Sequence, residues 1–414
     1  MTDGRWKPQD EAELRRGIEE GLLDEGHYFE VKREIGDTDG KRRSIAKALA
    51  SLAVDGGDLV IGLEENKLAR TWDPRPIDLA EQAERVEQIA ANLIDPPLPL
   101  RIREISTTGD STRGYLYVEV TASHHAPHMV AGVYYVRGEK TARRLADAEV
   151  RRLHSMHHDL LERTEQLLDT EIARDPVADN VRARAHLFLV AQPVDPERRR
   201  ARTVIHDSAT ILGMINGVED QLSPDLRGYD PSPSHASANS TRDRGVARCS
   251  DRLRRARRCA DHSPEIEERL IDIEWREDGG IRCYLGGLTR EIDRGYIDPQ
   301  EQILEGLALA YCTRLVYWSV AFANASDYRG SWLLGMAADR LRGLQVAPGR
   351  RLHDLPAYDV DQYREVTVAN YLDMRDRPGD IVEDIVGRWL RALRVHGDWE
   401  LFLTESGAVT RTEP

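Results

Sequence analysis

Hydrophobic positions recur with helical spacing in several early segments of the chain. EAELRRGIEEGLL at 11–23 places Leu14, Ile18 and Leu22 on one stripe, which predicts an amphipathic helix. The same spacing predicts further helices at 41–54, at 78–94 and from 147 onward.

Strand periodicity lies between these helices. In YFEVKRE (28–34) apolar and polar residues alternate, so one face of the strand is polar. DLVIGLEE (58–65) follows the Gly56-Gly57 turn and is typical of a buried central strand. Further strand-like runs lie at 98–106, 114–122 and 133–138. The order of helices and strands predicts a mixed-sheet α+β domain over residues 1–158.

The pattern restarts beyond residue 158 and predicts a second, separate α+β domain that is rich in helix. Residues 159–226 form a connecting helix and the start of this domain, and 264–414 form its main part. Its predicted elements are a strand at 185–191, two strands around Gly279-Gly280, apolar helices at 303–322 and 332–344, and an amphipathic helix after Pro378.

Residues 227–263 differ in kind from both domains. A stretch rich in Ser, Pro, Ala and Asn leads into RDRGVARCSDRLRRARRC, which has eight arginines between Arg242 and Arg258 and few aliphatic residues. Such a composition buries too little apolar surface to offset the entropy of ordering. It predicts a disordered insertion, and the abrupt change at both edges leaves a local reading-frame error as the alternative.

Charge and composition narrow the classes of function. The 414 residues carry a formal net charge of −14, so any polyanion must meet a local basic patch. No uncharged apolar run reaches the ~18 residues of a membrane span, and the N-terminus has no signal-peptide core. The four cysteines form no C-x-x-C pair. We therefore expect a cytoplasmic protein without a membrane partner.

Acidic residues and a lysine converge on the first predicted strand. Glu30 and Lys32 share one face of it, Glu25 lies in the preceding turn, and Glu64-Glu65 follows the buried strand. Such carboxylates could hold a divalent metal, with the lysine facing a scissile phosphate. Because alternating acids and a lysine are more often cross-strand ion pairs, the spacing leaves both interpretations open.

Separated motifs within residues 11–158 resemble the Schlafen/AlbA-type domain. They are E-x-x-x-x-E-V-K at 25–32, the helix I-A-K-A-L-A-S-L-A, then G-G-D-L-V-I-G-L-E-E, H-A-P-H at 125–128, and V-Y-Y-V-R-G-E-K-T-A-R-R at 133–144. The resemblance implies a nucleic-acid-binding fold. For the Schlafen-type members that cut RNA, it implies three acids in a metal-dependent endonuclease site.

By this resemblance, Glu25 and Glu30 match the first two acids. The third, an aspartate in those members, falls at Glu64 or Glu65, and Val54 stands where the family commonly has an asparagine. Both departures favour binding over catalysis. If the site cleaves, the resemblance implies Mg²⁺ or Mn²⁺ as the cofactor, held by Glu25, Glu30 and Glu64.

Two basic clusters are candidates for contact with backbone phosphates. They are Lys41, Arg42, Arg43 and Lys47 at the start of the second helix, and Arg137, Lys140, Arg143 and Arg144 after the last strand of the domain. The leading interpretation is a protein that binds DNA or RNA in a regulatory or defence role. The alternatives are a Schlafen-like endoribonuclease using Glu25, Glu30, Lys32 and Glu64 or Glu65, and an interaction scaffold; a homodimer is left open.

Overall fold

The computed structural model describes residues 7–23, 28–66, 71–123, 125–138, 141–195, 198–259, 263–292, 300–346 and 356–404. The chain is α+β, as the sequence predicts, and divides into two compact units, residues 1–159 and 160–414.

The N-terminal unit contains short strands interleaved with helices. Its helices are α1 (Glu11–Glu19), α2 (Asp39–Leu52), α3 (Gln82–Leu93) and the first half of α4 (Asp147–Ile172). Its strands are β1 (Phe29–Lys32), β2 (Gly57–Ile61), β3 (Leu63–Asn66), β4 (Thr71–Pro74), β5 (Ile77–Asp78), β6 (Arg101–Thr107), β7 (Asp110–Val120), β8 (Met129–Val130), β9 (Val133–Arg137) and β10 (Ala142–Arg144).

The main sheet of this unit is mixed. β1 runs parallel to β2, and β7 pairs antiparallel with β2, β5 and β6. One face packs on α2 and α3 through residues such as Ile45 and Leu59, and the other packs on α1 through Leu14 and Val60. β8, β9 and β10 form a separate antiparallel sheet, and α2 packs against it.

The glutamates after the buried strand lie beyond a sharp change of direction. β2 ends at Ile61, and Gly62 has φ +112°, a conformation that side-chain-bearing residues rarely adopt. The chain then enters β3 and β4, which form a separate two-stranded antiparallel sheet, the β3–β4 hairpin. Glu64 and Glu65 therefore belong to the hairpin and not to the strand that precedes them.

The C-terminal unit is larger and built on longer strands. Its helices are the remainder of α4, then α5 (Arg198–His206), α6 (Ser208–Gln221), α7 (Pro224–Arg227), α8 (Pro264–Glu267), α9 (Glu305–Ser326), α10 (Tyr371–Asp376), α11 (Pro378–Val382), α12 (Arg388–Ala392) and α13 (His396–Thr404). Short 3₁₀ turns at Pro233–His235 and Asp251–Leu253 and a π-helical turn at Glu383–Gly387 complete the helical segments of its described residues. Its strands are β11 (Leu187–Pro193), β12 (Ala238–Arg242), β13 (Gly245–Cys249), β14 (Ile271–Arg276), β15 (Ile281–Leu285), β16 (Thr289–Ile292), β17 (Gln300–Ile303), β18 (Ser331–Ala338), β19 (Gln345–Val346) and β20 (Tyr363–Asn370).

Seven antiparallel strands form the main sheet of this unit, in the order β12-β13-β14-β15-β11-β18-β20. Its apolar face carries Ile273, Trp275 and Cys283 and packs on α9. α9 is long and apolar enough to cross a membrane by length and composition, but nearly all of it is buried in this core. The apolar helix predicted at 303–322 corresponds to α9.

The opposite face of the same sheet carries buried charges. Asp272 and Glu274 alternate with the apolar residues of β14, and arginines from outside the sheet pair with them. Further along this face, the His186 ring lies between the carboxylates of Asp175 and Glu267, at 2.7 and 2.8 Å. Buried charges are tolerated where each has a partner, and these carboxylates have partners.

Two predictions for this unit are wrong. The segment 332–344 was expected to be helical, but Ser331–Ala338 is strand β18, paired on both edges; a short, wholly apolar run fits a buried strand as well as a helix. The segment 227–263 was expected to be disordered, but its described residues include β12 and β13 within the main sheet. Hydrogen bonds to β14 and ion pairs with buried acids supply the stabilisation that apolar side chains lack there.

Candidate nucleic-acid interface

Glu30 lies in a buried group of charges. The register of β1 and β2 places it opposite Leu59, on the face that α2 covers. Glu30 is 6% exposed, and its carboxylate pairs with the Lys32 ammonium on the same strand and the Arg137 guanidinium on β9. The group therefore ties the β8–β10 sheet to the main sheet.

Arg137 lies in the interior. It is 3% exposed, and besides pairing with Glu30 it donates to the Phe29 carbonyl oxygen at 3.1 Å. A guanidinium in this position does not fit the predicted contact with an external phosphate. The physical reason is that an unpaired buried carboxylate is costly, and Arg137 is the partner that neutralises Glu30.

Glu64 is also paired with cations, but different ones. Its carboxylate accepts hydrogen bonds from Arg75 Nε at 2.9 Å and Arg33 Nη1 at 2.7 Å, and chiefly the bond from Arg75 lowers the pKa of Glu64. Glu65, its neighbour on β3, is exposed and points to the opposite face of the hairpin. At most one of these two glutamates can face a common site.

These acids do not fit a divalent metal within the described residues. Mg²⁺ and Mn²⁺ need free carboxylate oxygens, whereas those of Glu30 and Glu64 are engaged by lysine and arginine. No group of three or more His, Cys, Asp or Glu suited to a metal occurs in the part of the chain that the structure describes. Glu25 lies outside that part, so its predicted role stays a prediction.

The first turns of α2 present a basic surface. The Thr38 side chain caps the helix by accepting from the Lys41 backbone N–H, and the apolar stripe around Ile45 is buried. Arg42 and Arg43 consequently project outward, and neither forms an ion pair among the described residues. Lys41 differs from them, because its ammonium bonds to the Glu34 carboxylate.

Polar cavities flank this surface. One, of about 250 Å³, lies between α2 and α3, and its lining includes Arg42, Arg43, Arg85 and Asp39. A second, of about 520 Å³, also borders Arg85. Its other basic lining residues are Arg33, Arg75 and Arg113. Sequence reasoning missed these arginines, because they are isolated along the chain and only the fold brings them to one place.

The β9–β10 hairpin carries the second predicted cluster. Arg143 forms a bidentate ion pair with Glu149, with N···O distances of 2.8 and 2.6 Å. The hydrogen bonds from Arg143 lower the pKa of Glu149 to about 2. Arg144 is exposed and has no ion pair in the described ranges, and Lys140 lies outside them. Lys47 on α2 lies 5.3 Å from the centre of the Tyr135 ring on β9. The two predicted clusters thus occupy neighbouring elements.

Residues 25–146 match the family described as Schlafen, AlbA_2. The N-terminal unit is of the Schlafen/AlbA type. The resemblance predicted from the sequence motifs is confirmed for this part of the chain, and AlbA-type domains are associated with nucleic-acid binding. No curated protein matches the chain.

Two solved structures show distant similarity to this chain. One is the N-terminal domain of a protein from Nitrosomonas europaea described as related to the ATP-dependent DNA helicase RecG, with 18% identity, a TM-score of 0.23, and coverage of 31% of this chain and 88% of that one. The other is the DIP2311 protein from Corynebacterium diphtheriae, with 11% identity, a TM-score of 0.25, and coverage of 76% and 78%. At such TM-scores neither says anything about function.

Proposed function

We propose that this protein binds nucleic acid through the α2 basic face, defined as Arg42, Arg43, Lys47 and Arg144. The observation that carries the proposal is that Arg42 and Arg43 are exposed and form no ion pair among the described residues. A guanidinium without a carboxylate partner can bind a phosphate oxygen without breaking an existing ion pair, and charge-assisted bonds of this kind are strong.

The expected mode of binding is contact with the sugar-phosphate backbone. The face consists of basic side chains on a helix and a hairpin, and such contacts position a protein on DNA or RNA without reading sequence. The family association with nucleic acid supports this assignment. A cytoplasmic setting and a regulatory or defence role stay predictions; the four cysteines are buried free thiols, which suits a reducing compartment.

The test compares two pairs of adjacent helical arginines. Arg42→Ala/Arg43→Ala removes the α2 pair, and Arg15→Ala/Arg16→Ala removes an exposed pair from α1, on the opposite face of the main sheet. Binding of labelled 20-mers of DNA and RNA, single- and double-stranded, is measured by fluorescence anisotropy at several salt concentrations, with a melting curve for each variant.

We expect the α2 variant to bind roughly tenfold or more weakly, with the slope of log K against log salt reduced by about 1.4–1.8 for two lost phosphate contacts. The α1 variant should bind like the wild type. Equal losses in both variants would mean that only total charge matters, and an unchanged α2 variant would place the interface elsewhere.

The endoribonuclease alternative is tested in the same samples. Structured RNA is incubated with the protein with and without Mg²⁺ or Mn²⁺ and its length is followed on a denaturing gel. Since Lys32 and Arg137 already engage Glu30, we expect intact RNA. Metal-dependent cleavage that is lost in Glu30→Gln would establish catalysis instead.

A further inference from the structure

The arginine-rich segment of the C-terminal unit stands out against the charge of the protein. Residues 242–258 contain eight arginines and two aspartates, a formal charge of +6, in a chain of net charge −14. The segment comprises the end of β12, all of β13, the 3₁₀ turn at Asp251–Leu253 and the loop up to Arg258. We call residues 252–258 the arginine loop.

Two arginines anchor this segment from the inside. Arg242 donates to Asp272 Oδ1 at 2.9 Å and Arg257 Nε donates to Oδ2 of the same carboxylate at 2.5 Å, and Arg257 also pairs with Glu171. Both arginine side chains are less than a tenth exposed. Since each buried charge has a partner, the backbone around them is held in one place.

Further contacts hold the rest of the loop. Leu253 and Cys259 are buried in a hydrophobic cluster, and Ser240 Oγ donates to the Arg254 carbonyl oxygen at 2.9 Å. A backbone fixed in this way does not lose its freedom when a ligand binds, which lowers the entropic cost of binding compared with a disordered basic tail.

Three further arginines, all in the arginine loop, point outward. Arg254, Arg255 and Arg258 are exposed, and none of them forms an ion pair in the described part of the chain. Arg258 also lines a cavity of about 390 Å³, together with Arg174 and Arg257. Among the described residues that line this cavity the acid is Asp175, and it already pairs with Arg182 and His186, so it does not neutralise the exposed guanidinium.

The chemistry of the loop favours one class of partner. The planar guanidinium matches phosphate with two parallel hydrogen bonds, so arginine is well suited to phosphodiester backbones. The loop offers no exposed aliphatic or aromatic anchor, because its leucine is buried and its only other apolar residue is Ala256. Without aromatic side chains it lacks the usual platform for stacking bases, which favours contact with the backbone, and without an apolar anchor it is poorly suited to insertion into a lipid surface.

We propose that Arg254, Arg255 and Arg258 form a second phosphate-contacting surface, which binds the backbone of nucleic acid independently of base sequence. This inference rests on the proposed function, because it assigns the same class of ligand to the C-terminal unit. The surface requires Arg242 and Arg257 only to hold the loop, and these two do not contact the ligand.

The test uses the full-length protein and a matched control. Arg254→Ala/Arg255→Ala removes two exposed loop arginines, and Arg198→Ala/Arg199→Ala removes two adjacent exposed arginines from α5, which packs on the apolar face of the same sheet. Each is assayed for binding to a labelled 40-nucleotide RNA and a 40-base-pair DNA over a range of salt, and to vesicles containing phosphatidylserine. Adding Arg258→Ala to the loop variant tests the cavity.

We expect the loop variant to lose roughly tenfold in affinity and about 1.4–1.8 in salt slope, and the triple variant to lose more, whereas the α5 variant stays near the wild type. If the loop variant binds like the wild type while Arg42→Ala/Arg43→Ala is impaired, the inference is overturned and the proposed function stands. If only the loop variant is impaired, the proposed binding through the α2 basic face is wrong and the proposed binding through the arginine loop is supported. Loss confined to the vesicles, or no binding of nucleic acid by the wild type, overturns the inference.

Discussion

The β9–β10 hairpin of the N-terminal unit and the arginine-rich segment of the C-terminal unit both contain several arginines but differ in how these arginines are used. In the hairpin, Arg137 is drawn inside by Glu30 and Arg143 is held at the surface by Glu149. In the C-terminal segment, Asp272 holds both Arg242 and Arg257, and Arg254, Arg255 and Arg258 are exposed without an ion pair among the described residues.

The difference shows that arginine density is a poor measure of an available basic surface. A buried carboxylate requires a cation, so it removes one or two arginines from any cluster that folds over it. The arginines that remain are those whose neighbours in space include no acid. This selection is decided by the fold, and each member of the comparison can be tested separately.

Arg257→Ala should give the largest effect. It removes the guanidinium that pairs with both Glu171 and Asp272, whose side chains are almost fully buried, so the free energy of unfolding of the C-terminal unit should fall by about 3–5 kcal/mol. Urea denaturation followed by tryptophan fluorescence measures the loss. Its neighbour Arg258 is exposed, so Arg258→Ala should change stability by no more than about 0.5 kcal/mol. Equal effects of the two substitutions would contradict the assigned roles.

Arg137→Ala should give a smaller but clear loss in the N-terminal unit. Glu30 would keep Lys32 as a partner, so we expect the unfolding free energy of this unit to fall by about 2–3 kcal/mol. Arg144→Ala, at an exposed position of the same hairpin, is the control for stability. If the Arg137→Ala protein were as stable as the wild type but bound nucleic acid more weakly, Arg137 would be a contact residue and not a structural one.

Arg143→Ala should give the smallest effect on stability, and its clearest result should be a change in the pKa of Glu149. In the wild type the hydrogen bonds from Arg143 hold the pKa of Glu149 at about 2; without them it should rise toward the ordinary value of 4.5, remaining somewhat below because the Ala146 N–H still donates to this carboxylate. The folded-state pKa is lowered, so the pair stabilises the fold above about pH 4.5 and loses this contribution as the pH falls toward 2. Carbon-13 NMR of the carboxyl group measures the shift, and Arg144→Ala should leave it unchanged.

Local features of the N-terminal unit follow from its sequence. The spacing of Leu14, Ile45 and Val86 predicts three helices that the structure contains, and the alternation of Glu30 and Lys32 correctly places both on one face. Periodicity is a local property of the sequence, so it can be recognised without knowledge of the fold. The partner of Glu30 is not, because Arg137 lies more than a hundred residues away and only strand pairing brings it close.

The C-terminal unit was harder to predict for the same reason. Ser331–Ala338 is buried on both sides, so it has no polar face to reveal a strand. β12 and β13 bury only small apolar residues such as Ala247 and Cys249, and hydrogen bonds and Asp272 also hold them. Gly62 shows that sequence patterns also failed at one point of the N-terminal unit. The sequence DLVIGLEE suggests that Glu64 continues the buried strand, whereas the turn at Gly62 directs it into a separate hairpin.

The strand order of the seven-stranded sheet has a consequence for synthesis on the ribosome. β11 pairs along its length with β15 and β18, so Leu187 meets Leu285 on one edge and Ala338 on the other. Contacts between distant residues form slowly, and this strand must wait for its neighbours to be translated. The strands of the N-terminal unit all lie between Phe29 and Arg144, and a nascent chain folds its leading domain first. The Schlafen/AlbA unit should therefore already be folded while β11 still exposes its apolar residues to chaperones.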